Sequence, residues 1–238
     1  QFNRSMYCTE DSSVKTVGSN TLLGLQSPRN LLTNTICDEL RLATNFRSKV
    51  IGIALKDRGA VLPEGNSANT AYWYDMKTGD WITSSYYINE LPTWVKTFNA
   101  EKLVDKYYKE GWNTMYPLNT YVQSTADEVS YENKPFGADA KGFQYNLGKF
   151  AGTNYSAIES TPFGNTLTAE LAKAAITNEQ LGADAITDFL AVSFSSTDYV
   201  GHSFGPNSVE QEDTYLRLDK DLGEFLKFLD NKVGKDQY

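Results

Sequence analysis

Histidine is almost absent from this chain: His202 is the only one among 238 residues. Cysteine is nearly as scarce, with only Cys8 and Cys37, so at most one intrachain disulfide is possible. Joining them would close a loop of about 30 residues and suit an oxidising compartment; two free buried thiols are the other reading, and spacing does not decide between them. No apolar run approaches the roughly 18 residues of a membrane span, and no signal peptide opens the sequence. No basic stripe stands out, and acidic side chains outnumber basic ones by 30 to 22, for a net charge of −8. Nucleic-acid binding as a main role is therefore disfavoured. There is no internal repeat and no initiator Met, and both termini, Gln1-Phe2-Asn3-Arg4 and Gly234-Lys235-Asp236-Gln237-Tyr238, read as cut ends of a longer protein.

What the chain does have is aromatic residues and length. Fifteen tyrosines and 12 phenylalanines belong to a folded protein, and the length suits one α/β domain with an inserted subdomain. Ser27-Pro28-Arg29-Asn30 opens an expected helix with Leu31, Leu32, Ile36, Leu40 and Leu42 on its apolar face. Lys49 to Leu55 follows as a buried strand, ending in Lys56-Asp57-Arg58-Gly59-Ala60. Ala71–Asp75 and Trp81–Tyr87 form an expected antiparallel hairpin around a turn at Met76 to Asp80. Helices are expected near Pro92–Phe98, Glu101–Lys109 and Thr166–Glu179. The segment from about Gly111 to Gly164 is irregular but aromatic, which suggests an ordered cap, and residues 62–165 as a whole read as an insertion. Trp73, Trp81, Trp94 and Trp112 are assigned to its core. Asp188–Ser196 is a second buried strand, and Asn207–Lys232 a helix whose apolar stripe is Val209, Tyr215, Leu216, Leu222, Phe225, Leu226 and Leu229.

The lone histidine follows the second strand, in Ser195-Ser196-Thr197-Asp198-Tyr199-Val200-Gly201-His202. Asp198 and His202 join an anionic oxygen and a neutral nitrogen four residues apart, the donor types of a zinc site. The bland alternative is a strand-end carboxylate capping a turn, with His202 bonded to it. Helix-then-strand units place both charged clusters at the carboxyl edge of one sheet, where ligands of open α/β folds bind. That convergence raises the metal reading above its ordinary odds.

Ser27–Leu31, Ala54–Ala60, Thr161-Pro162-Phe163-Gly164-Asn165 and Ser195–Pro206, with the helix at Tyr215–Asp219 behind, resemble the alkaline-phosphatase superfamily over essentially the whole chain. The likeness is greatest to the phosphate-irrepressible bacterial alkaline phosphatases, within the type I phosphodiesterase/nucleotide pyrophosphatase branch. It implies a partial alkaline-phosphatase-like sandwich and a two-zinc phosphomonoesterase acting through a phospho-threonine. Asp198 and His202 would ligate one zinc, and Lys56 and Arg58 would contact the phosphoryl oxygens. The nucleophilic Thr and the remaining ligands would lie outside this segment, so no catalytic nucleophile is assigned here. Asp57 is expected to orient Arg58 or cap a turn, Tyr215 and Asp219 to support the site from behind, and Asn165 either to line the pocket mouth or to cap the next helix. The resemblance further implies small phosphate esters as substrates, a periplasmic or secreted location and a monomer. The alternatives are a phosphodiesterase or nucleotide pyrophosphatase on the same scaffold, and a non-catalytic metal- or phosphate-binding module.

Overall fold

Five consecutive residues, Val50–Ala54, are buried on both faces of the chain, as a central parallel strand requires. In the computed structural model, which describes residues 5–140 and 142–238, this strand is the axis of the fold. The regular elements are β1 (Thr16–Val17), α1 (Ile36–Ala43), β2 (Val50–Ala54), α2 (Asp57–Val61), β3 (Thr70–Asp75), β4 (Asp80–Ser84), α3 (Thr93–Ala100), α4 (Leu103–Glu110), α5 (Phe163–Asn178), β5 (Phe189–Ser193), α6 (Ser196–Phe204) and α7 (Val209–Leu229). The strands form one sheet in the order β1-β4-β3-β2-β5. β2 pairs in parallel with β3 and β5, and the β3–β4 hairpin and β1 add antiparallel strands. The α/β class read from the sequence is thus the observed one. The expected hairpin lies within this sheet, because β3 is hydrogen-bonded directly to β2.

Alternation along β2 divides the core. Ile51 and Ile53 face a large apolar cluster with Tyr72, Tyr74, Trp81, Leu167 and Leu171, while Ala54 faces a small one with Ala60, Val61, Trp73 and Ile82. Trp73 therefore lies across the sheet from Trp81 and Trp112, and the tryptophans do not make one cluster. Gly52 must lack a side chain: a Cβ there would sit 2.1 Å from the Ala60 carbonyl oxygen and 2.3 Å from Cδ of Glu64.

The irregular stretch between α4 and α5 is ordered by aromatic packing. Trp112 meets Phe136, Phe143, Tyr145 and Phe204 with ring centroids 5.1–6.2 Å apart. Its indole N–H donates to the buried Asp213 carboxylate at 2.8 Å, which also accepts from Met115 N, Tyr121 Oη and Arg217 Nε. One buried anion on α7 thereby holds three points of the stretch 112–121.

Three expectations are corrected. Ser27 caps only a single 3-10 turn, Pro28–Asn30; the helix proper starts at Ile36, where Thr35 and Asp38 form a reciprocal capping box. Leu32, Ile36 and Leu42 are exposed rather than packed. On α7 the expected stripe is split: Tyr215, Leu222 and Leu226 are exposed, whereas the fully buried positions are Val209, Glu210, Gln211, Asp213 and Thr214. Polar residues, not the apolar stripe, fill that helix's inward face near its start, and Asp213 and Glu210 have side-chain partners there. Cys8 is exposed and Cys37 buried, and both are free thiols.

Glu64 is fully buried, and neither carboxyl oxygen meets a hydrogen-bond partner among the described residues. Desolvation pushes its pKa from 4.5 up to about 8. Burial likewise raises Glu159 and Glu210 to about 7. Each folded-state pKa lies above the unfolded value, so the folded state holds more protons and stability contributed by these groups is lost as pH rises from about 4.5 to about 8. Urea midpoints measured at pH 5 and pH 8 should therefore fall with pH, and the fall should be smaller in Glu64→Gln. An unchanged difference between the two pH values would exclude Glu64 as a contributor.

Candidate phosphate and metal site at the carboxyl edge of the sheet

β2 and β5 pair in register from Val50 with Phe189 to Ala54 with Ser193, so both strands end together. Each runs almost at once into a helix. Lys56 is the extended residue preceding α2, and Ser195 precedes α6. Lys56 N donates to Ser195 Oγ at 3.4 Å, joining the two strand ends. Two close approaches keep the junction tight. A Cβ on Gly164 would lie 2.1 Å from Ser196 Oγ, and one on Gly59 3.2 Å from Ser193 Oγ.

The run holding the lone histidine is a helix, not a turn leaving the strand. Asp198 and His202 are one helical turn apart on α6, with His202 Nε2 3.3 Å from Asp198 Oδ1. Both point outward, their side chains 54% and 79% exposed. Asp198 Oδ2 is ion-paired with Lys56 Nζ, whose side chain is only 16% exposed. The hydrogen bond from Lys56 is the largest of the effects that lower the Asp198 pKa. Lys56 Nζ also lies 4.3 Å from the centroid of the Tyr199 ring.

Arg58, in the first turn of α2, donates from Nη1 to Tyr7 Oη at 2.9 Å, and Tyr7 Oη in turn donates to Asp57 Oδ1 at 2.6 Å. The Tyr7 hydrogen bond is the main cause of a raised Arg58 pKa. Asp57 also accepts from the Arg58 backbone N–H. Lys56, Arg58, Tyr7, Tyr199 and Glu159 line one small cavity of about 110 Å³. The sequence reading thus named both cations and both donors that the structure brings together. It did not single out Tyr199, which lay in the open between Asp198 and His202, nor Tyr7 and Glu159, which had no local signal.

Asn165 neither lines the cavity nor caps its own helix. It is buried in the first turn of α5, accepts from Ser196 N at 3.1 Å through Oδ1, and donates from Nδ2 to Thr197 Oγ1 at 3.0 Å. It fixes the start of α6, and through it the position of Asp198. Tyr215 and Asp219, expected to support the site, both have exposed side chains, and support from behind comes instead from Asn165. Among the described residues, no group of three or more His, Cys, Asp or Glu side chains could hold a metal ion. Asp198 and His202 supply two donors of the right kind but not a full set.

A sheet whose carboxyl edge gathers two cations, a carboxylate and an imidazole defines a candidate anion- and metal-binding α/β protein. The chain belongs to the type I phosphodiesterase / nucleotide pyrophosphatase family, whose model matches residues 5–238. It is 58% identical over 238 residues to the alkaline phosphatase PhoV of Synechococcus elongatus, covering all of this chain and 43% of that protein. It is 59% identical over 238 residues to a Myroides odoratus protein named a calcium-transporting ATPase, covering 99% of this chain and 43% of that one. The crystal structure of the alkaline phosphatase PafA superposes with a TM-score of 0.96 at 50% identity, over 98% of this chain and 45% of that chain. The chain therefore spans less than half the length of these relatives.

Replacing Asn165 by Ala should leave the Ser196 N–H buried and unpaired, at a cost of about 1–3 kcal/mol of stability. Thermal or urea unfolding reads this directly, and a loss below about 0.5 kcal/mol would rule out the clamp.

Proposed function

We propose that this chain supplies the phosphate-contacting cations and part of one metal site of a zinc-dependent phosphomonoesterase, formed in the full-length protein. The observation that carries the reading is the meeting of Lys56 and Arg58 with Asp198 and His202 at one sheet edge. A monoester dianion carries one more anionic oxygen than a diester, and two cations side by side favour it. Arg58 offers a planar fork, and Lys56 a point charge close to Asp198.

The donor chemistry of Asp198 and His202 fits zinc, which takes carboxylate oxygen and imidazole nitrogen. Zinc, when bound, supplies positive charge against the attacking and leaving oxygens of an in-line displacement. Asp198 can serve as a ligand once Lys56 lets go of it, and Lys56 is then free for the substrate. The nucleophile, a threonine that takes the phosphoryl group, and the other ligands come from outside this chain. Small phosphate esters are the substrates of this reading, and the periplasm or the cell exterior its location. No helix among the described residues is long and apolar enough to cross a membrane.

A phosphodiesterase on the same scaffold is the rival. In the full-length protein, Lys56→Ala with Arg58→Ala should lower kcat/KM for p-nitrophenyl phosphate by about 100-fold or more, and for the corresponding diester far less. Equal losses would favour the rival. The purified 238-residue chain by itself should show no zinc-dependent hydrolysis of p-nitrophenyl phosphate, since it holds two donors and no assigned nucleophile. Measurable turnover would show that the chain carries a complete site.

A further inference from the structure

The two cations of the site are held in different ways. Lys56 is engaged directly by a carboxylate, Asp198. Arg58 is held instead by a neutral oxygen, the Tyr7 hydroxyl, which stands between it and Asp57. We infer that Tyr7 is a positioning residue for Arg58: it orients the guanidinium toward the cavity without neutralising the charge that a phosphoryl group would meet. This inference rests on the assignment of Lys56 and Arg58 as phosphate contacts.

The geometry is directional. Tyr7 Oη has one proton, and at 2.6 Å it is given to Asp57 Oδ1. The hydroxyl's lone pairs are thus left for Arg58 Nη1 at 2.9 Å. Asp57 is itself fixed, because the same oxygen accepts the Arg58 backbone N–H. Tyr7 is anchored from a distance as well. Two residues on, the Thr9 carbonyl accepts from Ser27 N at 2.9 Å, and Asp11 then accepts from Ser27 Oγ at 2.7 Å. The polypeptide before β1 is therefore tied down just where it delivers the hydroxyl. A free arginine samples many rotamers, and pinning one nitrogen removes that freedom before substrate arrives. A carboxylate in the same place would hold the side chain equally well but compete with the substrate for it.

The test is a double-mutant cycle in the full-length protein, with p-nitrophenyl phosphate and bis-p-nitrophenyl phosphate as probes. Tyr7→Phe keeps the ring and removes the hydroxyl. It should lower monoester kcat/KM about tenfold, lower the monoester-to-diester ratio, and have no further effect once Arg58 is Ala. Asp57→Ala, which frees the hydroxyl to turn, should change the ratio in the same direction by a smaller factor. An undiminished ratio in both variants, or the same tenfold loss in the Arg58→Ala background, would overturn the role of Tyr7 while leaving the site reading intact. A wild-type full-length protein without monoester turnover would instead overturn that reading and this inference together.

Discussion

The in-register parallel pairing of β2 with β5 is the constraint on which the site depends. Nothing local in the sequence joins Lys56 to Asp198, since 142 positions separate them. They meet because both strands run the same way, stop at the same level, and hand over to helices within two or three residues. Parallel strands cannot be joined by a tight turn, so everything between them has to leave and return. That return path holds the hairpin, the aromatic stretch and α5. Asn165, at the start of α5, then uses the returning segment to fix the first residues of α6. Because β2 is also held in register by β3, a one-residue slip between β2 and β5 would turn Leu190 and Val192 of β5 away from the large core. The core and the site therefore enforce the same register.

The interior tolerates ionisable groups under two different regimes. Asp213 is surrounded by four donors and works as a tie between α7 and the aromatic stretch. Glu64, Glu159 and Glu210 have lost hydration without equivalent compensation, and burial raises all three. Glu159 matters most for the site, since it shares the cavity with Lys56 and Arg58. As an acid it leaves both cations available, whereas as an anion it would offset one of them. Lys56 nearby opposes the rise by favouring the charged form, but desolvation is the larger effect.

Much of this was legible in the sequence. The apolar run Val50–Ala54, the Tyr- and Trp-rich hairpin and the spacing of α3 to α5 follow residue patterns that local physics enforces. The site's four charged or donor residues were legible because each follows an apolar strand, although β5, expected to be buried, is a half-buried edge strand, and because their strings resemble a known family. What failed did so for identifiable reasons. The helix expected after Pro28 was judged on leucine spacing, but the Thr35–Asp38 capping box was the stronger start signal. The α7 stripe was judged on apolar residues, while Glu210, Gln211, Asp213 and Thr214 were the buried ones. Asp213 is buried with partners that arrive from Trp112 and Tyr121, about a hundred positions away, which periodicity does not report. Tyr7 is invisible for the same reason: its meaning lies entirely in where Arg58 ends up.

The Lys56–Asp198 ion pair occupies both groups that the proposed function assigns to substrate and metal. One carboxylate faces two claimants, the ammonium it now holds and the metal for which its donor chemistry, with His202, is suited. Both claimants are cations, so they compete for Asp198 and repel each other across it. If Asp198 and His202 held a metal, the ion pair would change in two ways by charge alone. Lys56 would be released from its partner, and the cavity would hold an uncompensated ammonium beside Arg58. Both effects would favour a dianionic ligand. The centroid of the Tyr199 ring lies 4.3 Å from the ammonium, and the ring attracts it without an opposing charge. Under the proposed function, phosphate affinity and metal occupancy would be coupled through Lys56. Arg58, held by the neutral Tyr7, stands outside that exchange and keeps its charge whichever way Lys56 turns.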